Sequence, residues 1–189
     1  MKEKVGTKFM KKIINLFVDM DGTVAKFYHH KDCLEKMYEQ GYFANLPLYA
    51  MAKHIDEFAK KDTSCVNIYI LSACVNSPYC EIEKTEWLLK NMPNIDKEHY
   101  IFTKVSESKV KKIVDTIGEK IEDCINILLD DYTKNLEQWE DYDKEFIGIK
   151  FLNGMNDTTK IWQGRKVKTF NQLIKIMQEL AMYGVDYTF

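Results

Sequence analysis

The chain has 189 residues, enough for one domain with a sizeable buried core and a small insertion. A formal net charge of -2 argues against binding polymeric nucleic acid through a broad basic surface. No apolar run reaches the roughly 20 residues that span a bilayer. The charged start Met1-Lys2-Glu3-Lys4 is not followed by an apolar signal-peptide core, so a cytoplasmic protein is expected. Five cysteines, an odd number without CxxC spacing, read as reduced thiols at small core positions.

In chain order, Ile13-Ile14-Asn15-Leu16-Phe17-Val18 is a short run of β-formers and predicts a buried parallel strand. It ends in Asp19-Met20-Asp21-Gly22-Thr23, two carboxylates one residue apart and a glycine turn. Alternation along a strand lets Asp19 and Asp21 share a side just past its C-terminal end, where open α/β sheets hold their ligands. Neighbouring carboxylates repel each other unless a hard cation lies between them, and oxygen ligands suit Mg²⁺. An EF-hand calcium loop would carry further acidic ligands and follow a helix; here Ala25 follows and no helix leads in.

Asp32 to Gln40 is expected to form one helix in the loop after this strand. Leu48 to Lys61 carries apolar residues at helical spacing, Leu48, Met51, Ala52, Ile55, Phe58 and Ala59, and predicts a helix with one buried face. Val66 to Leu71 reads as a second strand ending in Ser72. Glu81 to Asn91 reads as a helix with Trp87 and Leu88 inward, stopped by Pro93. Tyr100 to Thr103 is a short third strand, and Val105 to Ile117 a loop then a helix that ends near Gly118. Ile125 to Leu129 is an apolar fourth strand running into Asp130-Asp131. Phe146 to Phe151 is a fifth strand, and Phe170 to Met182 an amphipathic helix. Strands alternating with helices predict an α/β, Rossmann-like fold: a mainly parallel five-stranded sheet covered on both faces, with a small helical cap after the first strand.

Functional residues then belong at the C-terminal ends of the strands. Ser72 stands where a hydroxyl could hold a phosphate oxygen, although a Ser after a strand is often only a turn residue. Asp130 and Asp131 add two acids at the end of the fourth strand, costly to bury without a cation, and so support a metal site with Asp19 and Asp21.

Asp-x-Asp-Gly-Thr after a first strand, Ser72 after a second and Asp130-Asp131 after a fourth resemble motifs I, II and IV of the haloacid-dehalogenase-like phosphohydrolases. A narrower resemblance rests on Phe27, Gly41-Tyr42-Phe43-Ala44-Asn45-Leu46-Pro47, the run from Ser77 to Trp87, Leu128 to Leu136, and Gly148 to Gly154. Taken in that order they are similar to the 5'(3')-deoxyribonucleotidase family, cytosolic type C, in its bacterial and phage form. The resemblance covers about Ile13 to Gly154 and loosely extends to the end. It implies one phosphatase domain over residues 1–189 with 24–47 as a short cap, and a magnesium-dependent phosphomonoesterase acting on a (deoxy)nucleoside 5'- or 3'-monophosphate. Asp19 would be the nucleophile and Asp21 the general acid and base. Mg²⁺ would be held by Asp19, the Asp21 main-chain carbonyl and Asp131, with Asp130 orienting its neighbours. Ser72 and a motif III lysine would hold the phosphoryl oxygens. Lys109, in Ser106-Glu107-Ser108-Lys109 near a helix start, fits best, with Lys104 and Lys84 as alternatives. Phe27 matches an aromatic that stacks on the base, or is simply a core aromatic.

The span Val24 to Phe43 is short beside the cap of animal-type relatives, which puts nucleotide preference in question. Tyr28, Tyr38, Tyr42 and Phe43 could line a lid. A phosphatase for another small ester, such as a sugar phosphate, is the main alternative. A non-catalytic phosphate- or metal-binding module is the other, but such a receiver-like module would lack Asp21. The basic run Lys109-Val110-Lys111-Lys112 reads as a solvated helix face. The sequence leaves the oligomeric state, a homodimer included, and the role of Asn153 to Lys168 open.

Overall fold

The computed structural model describes residues 12–61, 65–156 and 162–185. Met1 to Lys4, and residues 157–161 of the segment Asn153 to Lys168, lie outside the described residues. Six parallel strands form one sheet: β1 (Ile14–Val18), β2 (Val66–Cys74), β3 (Tyr100–Lys104), β4 (Ile125–Asp130), β5 (Phe146–Phe151) and β6 (Arg165–Val167). Their order is β3-β2-β1-β4-β5-β6. All five residues of β1 are buried, as a strand covered on both faces requires. Its register pairs Val18 with Ile70 of β2 and with Leu129 of β4. The next residues of β1 and β4, Asp19 and Asp130, therefore emerge side by side where the strand order reverses.

Side chains alternate across the sheet and divide the core in two. Leu16, Val18, Ile70, Ile127 and Leu129 pack against α2 (Ala50–Ala59), α3 (Cys80–Asn91) and α6 (Phe170–Tyr183). Phe17, Tyr69, Leu71 and Leu128 face α4 (Lys109–Ile121) and α5 (Thr133–Glu140). Phe17 stacks on Tyr69 and meets Trp139 of α5 edge-on, with centroids 5.1 and 5.2 Å apart. At the N-terminal ends of the strands the amides of Asn67, Asn15 and Asn126 form a hydrogen-bonded row across β2, β1 and β4, each link 2.9 Å. Buried amides survive there because each has a partner. Helix α6 begins at a complete capping box between Thr169 and Gln172.

Several expectations are corrected. The sheet has six strands, not five, because the polar segment Arg165–Val167 pairs with β5 through Ile149 to Phe151. A three-residue charged edge strand has no apolar run to announce it. β2 continues past Ser72 to Cys74, held by pairing with Phe102 to Lys104 of β3, so Ser72 lies within the strand. Between β1 and α2, the helix expected over Asp32 to Gln40 is a single turn, α1 (Cys33–Lys36), followed by irregular chain. Helix α4 passes Gly118 and reaches Ile121, with a non-helical Ile117. Helix α5 was not expected; its buried face is only Leu136 and Trp139. Among the described residues no helix is long and apolar enough to cross a membrane.

Candidate active site

β1 delivers its first acid straight off the sheet: the Asp19 amide still donates to Leu129 O (2.9 Å), continuing the ladder. The chain then turns tightly, with the N–H groups of Val24 and Ala25 donating to Met20 O at 3.0 and 2.8 Å. Gly22 sits in this turn at φ +83°, and a Cβ there would lie 2.4 Å from Asp131 Oδ2. Glycine is required twice over, for the backbone conformation and for the approach to Asp131.

Asp19, Asp130 and Asp131 are buried, and a carboxylate oxygen from each lies within 4.8 Å of the others. Lys109, the first residue of α4, reaches into this group. Its Nζ donates to Asp19 Oδ1 at 2.5 Å and to Asp130 Oδ2 at 2.7 Å. Burial disfavours the Lys109 ammonium, but Asp130 and Asp19 outweigh it and hold its pKa above the ordinary value. Asp130 is fully engaged: Oδ1 accepts from the Tyr132 amide and Oδ2 also from Asn135 Nδ2, both 2.8 Å. Its part is therefore to hold Lys109 and the start of α5.

One ammonium does not balance three acids. Burial, with Asp130 and Asp21 adding to it and Lys109 opposing, pushes Asp19 up to about 7. Burial, Asp130 and Asp19 push Asp131 up to about 8. A buried, all-oxygen donor set that resists ionising suits a hard divalent cation, which would offset the repulsion.

Asp21 is placed differently. Its Oδ2 accepts from Lys84 Nζ at 2.5 Å, and its Oδ1 is buried with no hydrogen-bond partner among the described residues. Lys84, on α3, is fully buried and also donates to Ser72 Oγ (3.0 Å) and Ala73 O (2.6 Å). Burial works against its charge, yet Asp21 raises its pKa. Ser72 is thus brought beside Asp21 by one ammonium. Of the three candidate lysines, Lys109 and Lys84 both enter the site, whereas Lys104 is exposed at the end of β3.

The chain between β1 and α2 roofs one side. Phe27 is buried, its ring packed against Tyr28, Tyr42 and Phe43. Tyr42 Oη donates to Phe27 O at 2.6 Å. Tyr28 is partly exposed and close enough to the acids that Asp131, Asp19 and Asp21 add to the effect of burial in raising its hydroxyl pKa. Tyr38 points out to solvent.

Two contributors escape a reading by motif. Asn153, just after β5, donates from Nδ2 to Gly22 O (2.9 Å) and Asp131 Oδ2 (3.0 Å). Asn156 donates to Asp131 O and Phe151 O, both 3.0 Å. The only hint in the sequence was the polar character of the segment after Phe151.

No protein-family model matches the chain. Among the proteins that do match are two from staphylococci. One from Staphylococcus aureus strain Mu50, named "Putative 5'(3')-deoxyribonucleotidase", is 25% identical over 123 residues, 60% of this chain and 67% of that protein. One of the same name from Staphylococcus epidermidis strain RP62A is 29% identical over 112 residues, 59% of this chain and 53% of that protein. This chain therefore matches only about half the length of the second. Among solved structures, a phosphoserine phosphohydrolase-like protein from Francisella tularensis covers 87% of this chain and 99% of its own, with a TM-score of 0.53 and 13% identity. The fold is haloacid-dehalogenase-like. In this fold Asp19 and Asp21 follow β1, Ser72 lies in β2, Asp130 and Asp131 stand at the end of β4, and Lys109 opens the helix that leads into β4.

Proposed function

We propose that this chain is a magnesium-dependent phosphomonoesterase that works through an aspartyl-phosphate and takes a (deoxy)nucleoside 5'- or 3'-monophosphate. The observation that carries it is the division of labour between the two acids of β1. Asp19 is gripped on one oxygen by Lys109 inside a three-acid cluster, whereas Asp21 keeps Oδ1 buried and unpartnered. A buried carboxylate oxygen left without a partner is costly, and is expected where a substrate group completes the hydrogen bond.

In this reading a carboxylate oxygen of Asp19 attacks phosphorus as the bond to the leaving oxygen breaks. Asp21 hands a proton from Oδ1 to that oxygen, while its Oδ2 stays on Lys84. In the second half Asp21 takes a proton from water, which attacks the aspartyl-phosphate and returns Asp19 and free phosphate. Ser72 and Lys109 supply donors for phosphoryl oxygens as charge builds, while the Lys84 ammonium stays on Asp21, Ser72 and Ala73. Mg²⁺ would be held by the Asp19 carboxylate, Asp131 and the Asp21 carbonyl, with Asp130 orienting the set. It would supply further positive charge to the phosphoryl group.

The substrate class is supported by the names of the staphylococcal relatives and by the aromatic roof of Phe27, Tyr28, Tyr42 and Phe43. In this reading 24–47 is a short cap on a single domain, and Tyr28, partly exposed, offers a face for the nucleoside beside Phe27. A cytoplasmic setting belongs to the same proposal.

The test is phosphate release from a panel of nucleoside monophosphates and simple phosphomonoesters, with and without Mg²⁺, beside Asp19→Asn. Metal-dependent release concentrated on deoxynucleotides and abolished by the substitution is expected. Activity confined to other esters would keep the chemistry and discard the substrate. No turnover by folded, Mg²⁺-loaded protein would discard the hydrolase.

A further inference from the structure

Helix α3 faces the site with three residues on one stripe: Glu83, Lys84 and Trp87. Lys84 holds Asp21 and Ser72. Its neighbour Glu83 turns to the roof, where each of its oxygens accepts one main-chain amide, Oε1 from Gly41 at 2.5 Å and Oε2 from Phe43 at 3.0 Å. One turn later Trp87 Nε1 donates to Leu46 O at 2.6 Å. Glu83 is only 5% exposed, and no cation pairs with it among the described residues. A carboxylate buried without a cation is expensive unless its hydrogen bonds matter. Here they fasten an irregular stretch of chain that has little regular structure of its own.

The fastening reaches the chemistry. The Phe43 ring, whose own amide is held by Glu83, lies under the Lys84 ammonium at 4.7 Å from Nζ to centroid. The ammonium that sits on Phe43 is the one that holds Asp21. Asn45 braces the turn from outside, donating from Nδ2 to Gly41 O at 2.6 Å. Gly41 has φ +88°, so the turn itself needs glycine.

We propose that Glu83 is a positioning residue that clamps the roof segment Gly41 to Leu46 against α3, setting how tightly an ester with a large leaving group is gripped. It makes no contact with the reacting atoms. A small ester, which does not reach the roof, is handled without it. The substrate half of this proposal rests on the phosphomonoesterase reading; the clamp itself does not.

Glu83→Gln keeps size and shape but faces one of the two roof amides with a donor. In the full-length chain, hydrogen–deuterium exchange of Gly41 and Phe43 is expected to speed up about tenfold, with amides of β1 and β4 unchanged. With a deoxynucleoside monophosphate, KM is expected to rise about tenfold with little change in kcat. With methyl phosphate, whose leaving group is too small to reach the roof, kcat/KM is expected to stay within about twofold. Asn45→Ala, at an exposed position, repeats the split at smaller size if Glu83→Gln folds poorly. Unchanged exchange in both variants overturns the clamp. Equal losses on both substrates overturn its part in substrate grip. A wild-type chain that hydrolyses no ester overturns the hydrolase reading and this substrate half with it, while the exchange result still decides the clamp.

Discussion

Lys109 Nζ stands 2.5 Å from Asp19 Oδ1, and it is the one cation joined to the three-acid cluster among the described residues. Its removal leaves Asp19 and Asp130 buried and uncompensated. Lys109→Met, of similar length, is expected to lower the stability of metal-free protein by about 3–5 kcal/mol, the usual effect of breaking a buried pair. Urea unfolding of the two proteins measures this. A loss below about 1 kcal/mol would mean that the ion pairs of Lys109 contribute little to folding.

Asp21 keeps one buried oxygen without a hydrogen-bond partner among the described residues, and in the proposed reaction that oxygen passes a proton to the leaving group. Asp21→Asn is expected to lower kcat by about 10²–10⁴-fold on nucleoside or alkyl phosphates. On p-nitrophenyl phosphate, whose leaving group needs no proton, formation of the aspartyl-phosphate should suffer far less, so a rapid-quench burst of p-nitrophenolate should survive while steady turnover falls. Equal loss of burst and turnover would place Asp21 outside proton transfer.

How much of this could be read from the chain depends on the kind of residue. Asp19, Asp130 and Asp131 end apolar strands, so one strand register places all three together. Ser72 is legible for the same reason, although the strand continues beyond it because β3 pairs with it to Lys104. Lys109 could be favoured over Lys104 because it opens a helix, yet nothing local says that its ammonium reaches two acids on other strands. Lys84 is harder still: it lies in the middle of α3's sequence pattern, and its burial is set by the packing of α3 under the roof. Asn153 and Asn156 belong to a polar stretch without periodicity, so their hold on Gly22 and Asp131 is a purely tertiary fact. β6 and α5 were illegible because two charged residues with one valine, and a helix with two buried side chains, make no pattern.

Gly22 couples the turn after β1 to Asp131. Gly22→Ala forces a Cβ into Asp131 Oδ2 at 2.4 Å and strains a φ of +83°. The expected cost is about 1–3 kcal/mol of stability. Because Asp131 must shift, Mg²⁺ affinity should also fall, by roughly tenfold or more. Thermal melts and Mg²⁺ titration of phosphate release check the two effects. Loss of stability with unchanged metal dependence would separate the turn from Asp131.

The metal prediction follows from the raised acids. Burial and mutual repulsion lift Asp19 to about 7 and Asp131 to about 8, above the 3.8 of an ordinary Asp. Between those values the folded chain binds more protons than the unfolded one, so stability falls as pH rises. For metal-free protein this contribution is complete below pH about 4 and is lost as pH climbs through about 7 to 8. The expected loss is on the order of 3 kcal/mol, the two acids acting as a coupled pair. Mg²⁺ competes with those same protons, so its binding strengthens with pH and its stabilisation grows in the same window. Melting curves at pH 6, 7 and 8, with and without Mg²⁺, should therefore diverge as pH rises, and Asp19→Asn should flatten the divergence. A Mg²⁺ increment that is the same at all three pH values would mean that the cation does not bind to these acids.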